Sequence, residues 1–83
     1  MLHEELTDKI IGAAIAVHKV IGPGLKEQSY QAAIAMEFTE LGLQFQREPV
    51  LAVTYKGATV GHHVPDFIVE SAVVVELASV ART

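Results

Sequence analysis

The sequence has no cysteine and no tryptophan. Without cysteine there is no disulfide framework, no thiol nucleophile and no cysteine-ligated zinc. Positive charge is also scarce. Six Lys and Arg stand against ten Asp and Glu, a formal charge of −4 and a pI near 5.4, the wrong sign for sequence-independent attraction to a phosphate backbone. Aromatic residues are only 6% of the chain and do not interleave with basic ones, so no stacking platform for single strands is indicated. The apolar stretch from Ile10 to Val17 falls far short of the ~18 residues of a membrane span. The amino terminus, Met1-Leu2-His3-Glu4-Glu5, is acidic where a secretory signal is basic. Together these absences make a reducing cytoplasm the expected location, with no membrane partner.

What the sequence does have is apolar mass. Hydrophobic residues are 51% of 83 positions and mean hydropathy is +0.36, which excludes intrinsic disorder. A chain of this size buries only about 60% of its unfolded surface. Part of that apolar content therefore needs a partner surface, and a homodimer is the expected one. There is no internal repeat, low-complexity tract or polar linker, so residues 1–83 read as a single domain.

Helices come first and strands after. From Glu4 to Val20, apolar residues recur at spacings of three and four (Leu6, Ile10, Ala14, Val17, Ile21), predicting an amphipathic helix that ends at Gly22-Pro23-Gly24. A second helical pattern runs from Lys26 to Leu41 through Tyr30, Ile34 and Phe38, with Gly42 placed for a left-handed C-cap. Beyond Gly42 the period becomes two. Strands are predicted over Gln44–Tyr55, Thr59–Val69 and Ala72–Val80, with a hairpin turn at Lys56-Gly57 and Pro65 marking an edge or bulge. The expected fold is α+β: two N-terminal helices packed on one face of a three-stranded antiparallel meander, in the order ααβββ.

Glu76 stands in the otherwise uncharged run Ala72-Val73-Val74-Val75-Glu76-Leu77-Ala78, where an unpaired carboxylate would be costly to bury. A three-residue turn centred on Ser71 would set Asp66 opposite Glu76 with both side chains on one face. Two like charges there call for a shared proton or a divalent metal such as Mg²⁺, which takes one or two carboxylates plus waters and phosphate oxygens. Acids on exposed strands are also common without any function. Glu27 shares a helix face with Tyr30, and an acid in a first helical turn is also explained by the macrodipole alone. His18 is expected as a packed histidine at the core edge, and His62 and His63 as solvated residues. Gly22-Pro23-Gly24 lacks the lysine and serine of a phosphate-cradling loop.

The run Gly24-Leu25-Lys26-Glu27-Gln28-Ser29-Tyr30, with Val17-His18, Tyr55-Lys56-Gly57, Asp66 and Val75-Glu76-Leu77 in order around it, resembles the GxxExxY family of the PD-(D/E)XK nuclease-like superfamily. The resemblance covers essentially the whole chain. It implies a Mg²⁺-dependent phosphodiester hydrolase in which Glu27, Asp66 and Glu76 are the catalytic and metal-binding acids. The sequence departs from the pattern at position 78, where Ala78 stands in place of the motif lysine and has no ammonium group to steady developing charge. It also stops before the further helix and strand that the family normally carries. The resemblance therefore implies a truncated domain that keeps its acids and can bind metal but hydrolyses weakly or not at all. Lys26 and Lys56 are the alternative sources of a cation. A non-catalytic module that dimerises through its apolar sheet is the second expectation, and a small-molecule binder on that face has no positive support.

Overall fold

A computed structural model describes residues 4–22, 24 and 26–77. Helix α1 spans Glu4–Ile21 and α2 spans Glu27–Glu40, within a residue of the predicted limits. The acids Glu4 and Glu5 at the start of α1 and the basic His18 and Lys19 near its end complement the helix dipole. Helix α2 closes at Gly42, whose φ of 75° needs the conformational freedom of glycine. The Leu43 amide reaches back to the Phe38 carbonyl at 3.0 Å, satisfying an orphan acceptor of the last turn.

The strands are β1 (Phe45–Arg47), β2 (Leu51–Tyr55), β3 (Ala58–His63), β4 (Phe67–Val69) and β5 (Val73–Val75). All pairs are antiparallel, in a three-stranded sheet of order β1-β4-β5 and a separate β2-β3 ribbon. The α+β class and the meander order agree with expectation, but the first two predicted strands are each broken in the middle.

The break has a simple cause. Arg47 pairs with Phe67 and Leu51 pairs with His63, so the intervening Glu48-Pro49-Val50 and Val64-Pro65-Asp66 match in number and set Pro49 opposite Pro65. Neither proline has an N–H to donate to the ladder. One long hairpin is thus interrupted at a single level, and Pro65 is a buried residue in the gap rather than part of an edge or bulge. At the far end the predicted Lys56-Gly57 turn is present, with φ of 51° and 82°, the pair of positive angles that a two-residue hairpin loop requires.

The core lies between the helices and one face of the three-stranded sheet. Ile10, Ala13 and Val17 of α1 meet Tyr30, Ile34 and Phe38 of α2 over Phe67 and Val69 of β4. Phe38, Phe45 and Phe67 pack edge to face, with centroids 5.1 to 5.7 Å apart, a geometry favoured by the aromatic quadrupole. The opposite face of β4 and β5, carrying Ile68 and Val74, is open, with Val74 48% exposed. The third strand ends at Val75, and the predicted continuation from Ala78 to Val80 lies outside the described residues. No described helix is long and apolar enough to cross a membrane.

Candidate functional site

The buried face of α2 includes one polar residue, Gln31, only 3% exposed. An amide this deep must be hydrogen-bonded or cost stability. Its Nε2 donates to Asp66 Oδ1 at 2.9 Å and to Glu48 Oε2 at 3.3 Å. Its Oε1 accepts from Arg47 Nε at 3.1 Å and Nη2 at 2.8 Å. Gln31 therefore joins two acids to one cation, the acids coming from the two sides of the proline break. The Glu48 amide donates to the Asp66 carbonyl at 2.8 Å, tying the two sides at that level. Glu48 takes a φ of 51°, a conformation that costs a non-glycine residue on the order of 1 kcal/mol.

Asp66 is half-buried. Its second oxygen, Oδ2, accepts from the Leu77 amide at 2.7 Å, holding the chain after β5 against the break. The predicted turn centred on Ser71 is present, with Phe67 in register with Val75 and Val69 with Val73; beyond that pairing the Asp66 amide donates to the Val75 carbonyl at 3.1 Å. The two carboxylates take different partners. Asp66 is bonded to Gln31, whereas Glu76 lies beyond the end of β5, half exposed, with Oε2 at 2.8 Å from His63 Nε2. The cost expected for a buried, unpaired Glu76 is therefore absent, and His63 is a partner to it rather than simply solvated.

Glu27 is half-buried at the start of α2 and has no hydrogen-bond or ion-pair partner among the described residues. It sits one turn before Gln31, on the same helix face, and Gln31 is the residue that reaches Asp66. The expected cluster of Glu27, Asp66 and Glu76 is thus not assembled. No group of three or more His, Asp or Glu among the described residues is placed to hold a metal ion. Position 78 lies outside the described residues. Lys26 precedes α2 and Lys56 lies over the Tyr55 ring at the hairpin tip, so the cation bonded into the network is Arg47.

Sequence reasoning missed Gln31, Arg47 and Glu48. The available signal was Gln31 between Tyr30 and Ile34 on an otherwise apolar helix face, together with the two X-Pro steps whose matching is visible only once the register is known. His18 also differs from expectation. It is exposed, with its ring stacked on Tyr30 at 6.3 Å, while the buried Tyr30 hydroxyl has no partner among the described residues.

The model of the PD-(D/E)XK nuclease superfamily matches residues 4–83. The chain belongs to that superfamily. No curated protein and no solved structure gives a significant match. Superfamily members commonly use divalent metals. Glu48 and Asp66 both present carboxylate oxygens to a single amide nitrogen, a hard, oxygen-only pair of the kind Mg²⁺ accepts alongside waters and substrate oxygens.

Proposed function

We infer that this PD-(D/E)XK nuclease-superfamily chain is a GxxExxY-type domain that binds nucleic-acid phosphodiesters with a divalent metal and hydrolyses them weakly or not at all. The observation that carries the reading is the Asp66 carboxylate, held by α2 through Gln31 and by the Leu77 amide beside a second acid, Glu48. Asp66 is the central metal ligand in this reading. Glu48 joins it at the same amide nitrogen. When bound, a divalent ion supplies Lewis-acid polarisation of the phosphodiester.

The chain's own contributions are positional. Gln31 fixes the carboxylate plane of Asp66, and the Leu77 hydrogen bond keeps the residue-76 region close to it. Ala78 offers no ammonium group toward the reaction centre, which accounts for weak hydrolysis. The deciding experiment is calorimetric titration of Mg²⁺ or Mn²⁺ into the wild type and Asp66→Ala. Heat from the wild type alone is expected, and none at millimolar metal would end the reading. In the same assay series Ala78→Lys is expected to raise metal-dependent nuclease activity.

A second reading is a homodimer formed through the open sheet face. It is supported by Val74 on that face, 48% exposed beside Ile68, in a chain whose apolar content exceeds what so small a core can hide. Sedimentation at tens of micromolar separates the two, since a monomer there removes the dimer.

A further inference from the structure

Arg47 has a role that the hydrogen bonds to Gln31 do not exhaust. Its guanidinium uses Nε and one Nη2 hydrogen, both on the Gln31 Oε1 oxygen. Of the five donors of an arginine, the end-on pair formed by Nη1 and the second Nη2 hydrogen has no partner among the described residues. Arg47 itself is exposed and makes no ion pair with Glu48 or Asp66. The geometry is therefore that of an exposed cation held by a buried amide that also binds two acids, its end-on donors without a partner among the described residues. Fixing a side chain in this way removes part of the ordering cost of binding. A planar fork of parallel N–H groups matches the oxygens of a phosphate, and it does so as a permanent charge.

We propose that Arg47 is a substrate-binding residue that receives a non-bridging phosphate oxygen pair of a nucleic-acid backbone at the Gln31–Asp66–Glu48 site. This deepens the proposed function and rests on it. Arg47 supplies the fixed positive charge for binding. It does not act as a base, because a guanidinium keeps its proton in proteins, so its role in this site is binding and not proton transfer. It also explains how a chain of net charge −4 engages a polyanion, through one oriented contact rather than a diffuse field.

The test uses the full chain and a short fluorescein-labelled DNA duplex, with its RNA counterpart as a second arm, followed by anisotropy in Ca²⁺ across a salt series. Arg47→Gln keeps a donor for Gln31 Oε1 but removes the charge, and Arg47→Lys keeps both charge and donor but loses the fork. Arg47→Gln is expected to weaken binding about tenfold and to lower the slope of log affinity against log salt by about one. Arg47→Lys is expected to keep the wild-type slope with intermediate affinity. A residue that merely satisfied Gln31 would leave the slope unmoved in both variants. Unchanged affinity and slope in Arg47→Gln would overturn the role of Arg47 while leaving the proposed function standing. Absence of wild-type binding to either probe would overturn both. Thermal unfolding of each variant, expected near the wild-type midpoint, confirms that the comparison is between folded proteins.

Discussion

The two halves of one hairpin live in different environments. Below the proline break, β1 and β4 pack Phe45, Phe67 and Val69 into the core, with Phe67 and Val69 fully buried. Above it, every residue of β2 and β3 is exposed except the half-buried Leu51 and Gly61. The residue types barely differ, since β2 and β3 carry Val53, Tyr55 and Val60. β-propensity therefore does not distinguish the halves. Contact with the helices does, and a two-stranded ribbon without such contact is marginal by itself. The candidate site lies at the boundary, where the ladder stops: Arg47 is the last paired residue of β1, and Glu48 and Asp66 just beyond it bond with α2 at the same amide.

The sharpest way to break this comparison is a matched pair of truncations. Phe67→Ala removes a fully buried ring from the aromatic trio and is expected to cost about 3–5 kcal/mol in urea unfolding. Val60→Thr in the ribbon is expected to change stability by no more than about 0.5 kcal/mol. Equal costs would mean that the ribbon is covered in solution.

At the boundary the effects are intermediate. Asp66→Ala leaves the Leu77 N–H without its acceptor and the Gln31 amide with Glu48 alone, and is expected to lose about 1–3 kcal/mol, read by thermal unfolding. Gln31→Glu replaces the bridging amide donor with a third carboxylate beside Asp66 and Glu48. It is expected to destabilise by a similar amount without metal and to recover stability as Mg²⁺ is added, because a ligand that binds only the folded state raises the unfolding midpoint. A midpoint indifferent to Mg²⁺ in that variant would count against the metal site.

Two smaller effects refine the picture. Tyr30→Phe removes a buried hydroxyl that has no partner among the described residues and is expected to be neutral or to stabilise by up to about 1 kcal/mol. Amide hydrogen exchange is expected to be slow at Phe67 and Val69 and fast through β2 and β3, following the difference in burial. Uniform protection along the hairpin would show that the proline break does not divide its stability.

Much of this architecture was readable locally. The spacing of apolar residues located both helices to within a residue, Gly42 marked a helix end, and Lys56-Gly57 and Ser71 marked two turns. The Ser71 turn further set the register of β4 with β5, found as Phe67 opposite Val75 and Val69 opposite Val73. The proline break was half-visible, since Pro65 was noted but its alignment with Pro49 depends on the register of the whole hairpin.

The helices, the turns, the order of helices and strands and the superfamily follow from the sequence, because periodicity and turn chemistry act between residues a few positions apart, whereas the break that makes five strands of three depends on register. The tertiary structure alone decided which side chains meet. Gln31 reaches Asp66 across 35 positions and Arg47 across 16, and Glu76 pairs with His63 across 13 instead of sharing a site with Asp66. Such pairings follow from where the helix packs against the interrupted hairpin and from the need of each buried polar atom for a partner. Neither condition can be evaluated before the chain has folded.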